Sequence, residues 1–149
     1  MLIVHDTQLI LAAVGADDGI ALIAGTGSVA WGKSAGGSTS RAGGWGYLLG
    51  DEGSGYWLGR QAVRHALAQV DRGDPPDRLT KRLTADCGLE QPGQLLDQFY
   101  ANSERRYWAG HSRLVFELAA AGDEASRQLV DEATTALVGI VSVVGAALW

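Results

Sequence analysis

The sequence predicts an α/β fold, with a small, mostly antiparallel sheet near the start and a helical half after it. Three observations carry this expectation. Fourteen of the 21 glycines fall between Gly15 and Gly59. Glycine costs roughly 0.5–1 kcal/mol inside a helix or strand, so that crowding marks turns and close backbone approach. Two apolar runs, at 20–24 and 29–32, are joined only through Gly25-Thr26-Gly27-Ser28, a connection tight enough to make the strands antiparallel. Past Ser54 the pattern changes: Trp57, Leu58, Ala62, Val63, Ala66, Leu67 and Val70 recur at the spacing of an amphipathic helix.

Taken in order, 2–4 reads as the end of a buried strand. Residues 6–14 follow as a short helix, with Leu9, Ile10, Ala13 and Val14 at helical spacing and Asp6 where an N-cap stands. A turn at 15–19 precedes the first hairpin strand, and after the second strand 33–40 reads as a polar loop. The predicted helix at 54–70 is broken by 71–76. Two shorter helices follow at 77–87 and 92–100, the first stopped by Gly88 and the second opening on Pro92. A single helix is expected over 105–121, closed by Gly122. Asp123 caps the last helix, whose end at 136–149 is apolar almost throughout. Fourteen residues are too few to span a bilayer, so that end reads as a buried helix.

Composition narrows the function. The chain has 149 residues, is 46% hydrophobic and carries a net charge of -5. A single domain, or a large piece of one, is expected. The acidity argues against a nucleic-acid surface, which needs clustered Lys and Arg. Cys87 is the only cysteine, so one chain can hold no internal disulfide and no cysteine-based metal or iron–sulfur site. A cytoplasmic setting is expected. His5, His65 and His111 have no ligand spacing and read as ordinary residues, so no metal site is expected from them.

The chain is organised around GGWGYLLGDEGSG at 43–55. Carboxylates and backbone N–H groups gathered around one indole suit a polyhydroxylated ligand, whose apolar face meets the ring and whose hydroxyls meet the acids. The plainer alternative is a glycine-rich turn with a packed Trp. Leu48-Leu49 reads as the loop's apolar foot in the core. The Gly-Thr-Gly-Ser turn exposes N–H groups and hydroxyls at one point, as a phosphate cradle does; simple turn chemistry for Thr26 and Ser28 is the alternative. Arg41 reads as solvated, with a functional role just before the ligand loop as the alternative, and Trp31, Trp57 and Trp108 read as core or interface residues.

IALIAGTGSVAWG followed by RAGGWGYLLGDEGSGYWLGRQAV resembles the core of the N-acetylglucosamine kinase-like ATPases, the BadF/BadG/BcrA/BcrD type within the actin–hexokinase–Hsp70 superfamily. The order of HD, GTGS, GGWG and GDEGS is similar as well. The resemblance implies part of a ribonuclease H-like, actin-like ATPase lobe. It also implies ATP and Mg²⁺ as cofactors and a small amino sugar as substrate. By the same resemblance Asp6 falls on the catalytic base that takes the proton of the sugar 6-hydroxyl. Thr26, Gly27 and Ser28 fall on a motif that holds ATP phosphates, and Ala109 near the adenosine end. Gly44, Trp45 and Gly46 fall on the segment touching the sugar, and Asp51 on a carboxylate that accepts hydrogen bonds from it.

No Asp-Gly-Gly-x-Thr signature precedes Asp6, and the chain ends at Trp149. The expectation is therefore a single partial domain over 1–149, resembling the second lobe, with strands and ligand loops at 1–53 and helices at 54–149. Such a chain is expected to transfer no phosphoryl group alone and to form a homo-oligomer through the uncovered side of its last helix, at Leu137, Ile140, Val141 and Val144. No nucleic-acid or membrane partner is expected. Two alternatives stand beside the kinase. One is an ATPase activator of the acyl-CoA reductase or dehydratase type, which Cys87 does not favour. The other is a non-catalytic sugar-binding remnant.

Overall fold

The computed structural model describes residues 6–149, and of Asp6 and Gln8 the backbone alone. The strand expected at 2–4, and His5, lie outside the described residues. Helix α1 spans Asp6–Ala13, beginning on Asp6 itself. Three strands follow: β1 (Gly19–Ala24), β2 (Ser28–Lys33) and β3 (Thr39–Gly43). They form one antiparallel sheet in the order β1-β2-β3. The hairpin expected around Gly25 to Ser28 is present, with Ala24 paired to Ser28.

β3 corrects the sequence reading of that region as loop. Its residues, Thr-Ser-Arg-Ala-Gly, carry no apolar alternation. The strand forms because its backbone completes the hydrogen-bonding edge of β2, with Trp31 opposite Arg41 and Gly32 opposite Ser40. An edge strand with one open side needs little apolar content.

Cross-strand partners share a face of the sheet, which sorts the hairpin into two sides. Ile23, Val29, Trp31 and Arg41 look one way; Ala30, Gly32 and Ala42 look the other. The second face lies under the last helix, α7 (Glu124–Leu148). A Cβ at Gly32 would stand 2.6 Å from the Val144 side chain and 2.7 Å from that of Leu148. The first face is left to the functional site.

The helical half begins with α2 (Gly55–Arg72), capped by the Ser54 hydroxyl accepting from the Trp57 N–H at 3.1 Å and closed by a left-handed Gly73. α3 (Arg78–Asp86) is capped by Asp77. A short 3-10 turn over Pro92–Gln94 leads into α4 (Leu95–Ala101). Two helices, α5 (Arg105–Gly110) and α6 (Ser112–Ala120), replace the single one expected at 105–121. At the break the His111 N–H donates to the Trp108 carbonyl, three residues back, and His111 Nδ1 lies 2.9 Å from the Tyr107 carbonyl. This tightening at Gly110 lets α5 lie along α2 while α6 turns away toward α7.

The core of this half gathers Leu58, Ala62 and Ala66 of α2 with Leu79 and Leu83 of α3, Trp108 of α5, and Val115 of α6. Each large apolar side chain so buried contributes about 1.5–3 kcal/mol. α7 is amphipathic rather than buried, against the sequence reading of its end. Leu137, Ile140 and Val141 are partly buried and Val144 is fully buried. The side left uncovered is a different one, carrying Val138 and Val143 at 57% and 58% exposure. At 25 residues α7 is long and apolar enough to cross a membrane by length and composition. Its other side packs on the sheet, α2 and α6.

Candidate functional site

The open face of the sheet, α1 and the glycine-rich loop enclose a cavity of about 280 Å³ lined by Thr7, Ile23, Gly27, Ser28, Val29, Trp31, Arg41, Gly44 and Asp51. The strand register explains the floor: Ile23 stands opposite Val29, and Trp31 opposite Arg41. Thr7, 4% exposed, enters from α1.

Asp51 is the pivot of the site. It is 6% exposed, and at φ 61 it is the one non-glycine residue with a left-handed backbone among those described. Such conformations persist where the surroundings hold them, and they concentrate at functional sites. Here the Ser28 N–H donates to Asp51 Oδ1 at 3.1 Å. A Cβ at Gly27 would stand 2.9 Å from Asp51 Oδ2. Only glycine therefore lets the turn and the carboxylate come this close.

Ser28 ties the turn to the loop in three ways. Besides its N–H, its hydroxyl donates to the Glu52 carbonyl at 2.8 Å, and its carbonyl accepts from the Gly44 N–H at 2.8 Å. These donors are committed within the protein. The Thr26 hydroxyl and the N–H groups of Thr26 and Gly27 have no hydrogen-bond partner among the described residues. They are what the turn can offer to phosphate oxygens.

Thr26 opens on a second cleft of about 520 Å³, lined with Ser103, Glu104, Arg105 and Arg106. α5 reaches the turn because α2 is bare on that side. A Cβ at Gly59 would overlap the Trp108 carbonyl, and one at Gly55 would stand 3.4 Å from Ala109 Cβ and 3.2 Å from the Gly25 carbonyl. The Gly55 N–H also donates to that carbonyl at 2.7 Å. Ala109 is thus brought beside the turn that carries Thr26, Gly27 and Ser28.

Of the residues expected at the sugar, Gly44 and Asp51 line the first cavity with Gly27 and Ser28. Trp45 does not: it is 70% exposed, with the Arg41 guanidinium 5.8 Å from its ring centroid. Gly46 forms the turn below it, its carbonyl accepting from the Gly50 N–H at 2.7 Å. That turn rotates Leu48 and Leu49 outward, to 77% and 83% exposure. This corrects their reading as a foot in the core. The side chain of Asp6 lies outside the described residues; Thr7, next to it, faces the cavity.

Sequence reasoning missed Thr7, Ile23 and Trp31 as lining residues. The signal was the period-two alternation of β2, which sets Val29 and Trp31 against Ala30. Arg41 is exposed as expected, yet it is also held, donating to the Gly44 carbonyl at 2.9 Å.

Among the described residues no three His, Cys, Asp or Glu side chains gather to hold a metal ion. His65 Nε2 lies 2.6 Å from Asp77 Oδ2. His111 Nε2 lies 3.5 Å from the Cys87 sulfur, and burial pushes that thiol above its ordinary value.

The family model described as the BadF/BadG/BcrA/BcrD ATPase family matches residues 2–148. An N-acetyl-D-glucosamine kinase of Dictyostelium discoideum is 36% identical over 126 residues, covering 83% of this chain and 40% of the relative. An N-acetylmuramic acid/N-acetylglucosamine kinase of Clostridium acetobutylicum is 31% identical over 139 residues, covering 92% and 45%. A crystal structure from Chromobacterium violaceum, described provisionally as an N-acetylglucosamine kinase, superposes with a TM-score of 0.80 at 29% identity, covering 92% of this chain and 47% of the other. The chain spans less than half the length of these relatives.

Proposed function

The chain belongs to the BadF/BadG/BcrA/BcrD ATPase family, and from that premise we propose that it forms part of an ATP-dependent amino-sugar kinase, the second-lobe side of the cleft. The reaction is phosphoryl transfer from ATP to the 6-hydroxyl of an N-acetylglucosamine-like sugar. One observation carries this reading best: the Asp51 carboxylate, held by the Ser28 N–H over a glycine turn, lines a cavity walled by Gly44 and Thr7.

In this reading Asp51 accepts hydrogen bonds from the sugar hydroxyls. The Gly44-Trp45-Gly46 backbone shapes the sugar's entrance, and the exposed Trp45 ring closes over an apolar sugar face. Asp6, one residue before Thr7, is the base that takes the proton of the attacking hydroxyl. A positioned base of this kind contributes about 10²–10⁴ in rate.

ATP supplies the transferred phosphoryl group. The unpartnered Thr26 hydroxyl and N–H, which open on the second cleft, and the Gly27 N–H, from a residue that lines the first cavity, fit its phosphates, and Ser28 holds the turn in place for them. Ala109, packed beside the same turn, stands toward the adenosine end. Phosphoryl transfer asks the protein mainly for positioning and charge stabilisation, and these groups supply positioning. Mg²⁺, the cofactor the family resemblance implies, would be held largely by the ATP phosphates themselves and would neutralise their charge. A cytoplasmic setting and self-association through the Val138–Val143 side of α7 complete the proposal.

Calorimetric titration of N-acetylglucosamine tests it, with Asp51→Asn beside the native chain. Asparagine tolerates the left-handed backbone and can still accept the Ser28 N–H, so the loop stays in place. The expected result is saturable binding that weakens about tenfold or more in Asp51→Asn, the scale of one charge-assisted hydrogen bond. Absence of sugar binding, or equal binding by the variant, overturns the reading.

A further inference from the structure

We infer that Arg41 is the specificity-determining residue of the first cavity, and that it selects amino sugars carrying a carboxylate on the ring edge away from the 6-hydroxyl. The identity of the ligand as an amino sugar rests on the kinase reading; the cation at the rim rests on the cavity itself.

Arg41 and Asp51 are the two charged residues that line this cavity. Among the described residues Arg41 forms no ion pair, and Asp51 is engaged by the Ser28 N–H instead. The Arg41 side chain is exposed, yet its guanidinium is held at the rim. Nη2 donates to the Gly44 carbonyl at 2.9 Å, and Cζ lies 5.8 Å from the centroid of the Trp45 ring. Trp31 is its register partner on β2, so the two side chains stand on the same face of the sheet. A Cβ at Gly44 would overlap the guanidinium and stand 3.1 Å from the Val29 side chain. Glycine there makes the room. The Gly44 carbonyl occupies Nη2 only, and the remaining N–H groups of the fork are uncommitted among the described residues. A planar fork held in this way matches a carboxylate and loses little further freedom on binding one.

The fold sets which part of a sugar would meet this cation. α1, which begins on Asp6 and carries Thr7, packs against β1 and β2. Arg41 stands on β3, the opposite edge of the sheet. A pyranose with its 6-hydroxyl on the α1 side therefore turns its C2–C3 edge toward β3. A neutral hydroxyl at that edge gains little from an exposed guanidinium, because water competes for the same N–H groups. A carboxylate gains both the charge attraction and the two-oxygen match. A phosphate ester does not suit the position, since the 6-oxygen that receives the phosphoryl group lies at the other edge. The chain as a whole repels anions, with its net charge of -5, so a preference for an acidic sugar would trace to this one side chain.

N-acetylglucosamine, N-succinylglucosamine, the methyl ester of N-succinylglucosamine and N-acetylglucosamine 6-phosphate would be titrated calorimetrically into the native chain, Arg41→Gln and Arg41→Lys at neutral pH, with thermal melting of each. The native chain is expected to bind the succinyl acid about fivefold or more tightly than its ester, and raised salt should shrink that preference. Arg41→Gln should abolish it. Arg41→Lys keeps the charge and loses the fork, so it should retain part of it. The acid-to-ester ratio separates specificity from support of the loop, because a role confined to holding Gly44 would weaken both ligands alike. Should Arg41→Gln fail to fold, the ratio in the native chain and in Arg41→Lys still decides. Equal binding of acid and ester by the native chain, a ratio unchanged in Arg41→Gln, or a larger loss for the 6-phosphate than for the acid overturns the inference; the last would place Arg41 at the transferred phosphoryl group. N-acetylglucosamine binding without an acid preference sinks this role for Arg41 and leaves the kinase reading standing. An acid preference lost in Arg41→Gln, with no binding of N-acetylglucosamine, sinks the kinase reading and leaves the cation site.

Discussion

Asp51 and Asp77 are both aspartates that accept a backbone N–H, and their surroundings give them different work. Asp51 is buried with a left-handed backbone at the rim of the cavity. Asp77 caps α3, Oδ1 accepting the Thr80 N–H at 2.9 Å while Oδ2 lies 2.6 Å from His65 Nε2. Partial desolvation pushes the Asp77 carboxyl up, but the Thr80 N–H and the His65 ring together outweigh it and hold the group below its ordinary 3.8. A carboxyl depressed by folding stabilises the fold above its unfolded pKa, and that contribution fades as pH falls through the lower folded value. Asp77→Asn keeps a capping oxygen and removes the charge. Urea unfolding should therefore find the variant less stable than the native chain at neutral pH, with the two converging as pH falls through the lowered folded value. A constant difference at all pH values contradicts this account. Asp77 was legible in the sequence as the start of a helix. Its pairing with His65 was not, because the partner lies one helix earlier and only the packing of α2 on α3 brings the two together.

At the scale of elements, the sequence marked most helix ends correctly because they carry their own chemistry. Ser54, Asp77 and Asp123 each accept an N–H from three residues on. β3 and the split between α5 and α6 escaped because neither is a local event. β3 exists through the edge of β2, and the break at Gly110–His111 serves the approach of α5 to α2. That approach depends on Gly59, where a side chain would overlap the Trp108 carbonyl. Gly59→Ala should cost about 1–3 kcal/mol, as overpacking does in a close-packed interior. Gly139 lies within α7, exposed, with nothing within 4 Å of a Cβ built on it. Gly139→Ala should raise stability by about 0.5–1 kcal/mol through helix propensity. Chemical denaturation of the pair reads both signs at once. A neutral Gly59→Ala would mean that α5 does not need this contact.

At the scale of the molecule, the sheet is a partition. α7 covers one face with Ile140, Val144 and Leu148; the other face, with α1 and the loop after β3, holds the cavity. The helical half reaches the site through the start of α2, where the Gly55 N–H donates to the Gly25 carbonyl, and through α5, which sets Ala109 and Arg105 beside the GTGS turn. The order of motifs in the sequence was enough to point to the family and to Asp51. It did not separate the two clefts, because Gly27 and Ser28 line one while their neighbour Thr26 lines the other. Nor did it find Thr7 or Trp31, whose places depend on which face of a strand and helix turns inward. The central claim is that sugar and nucleotide occupy these two clefts on either side of one turn. Hydrogen–deuterium exchange with N-acetylglucosamine and, separately, with ATP tests it most directly. N-acetylglucosamine should protect the loop at 43–53 and leave 103–109 unchanged, while ATP should protect 25–28 and 103–109 and leave 45–50 unchanged. Protection of the same segments by both ligands, or protection that falls outside the two clefts, would contradict the account.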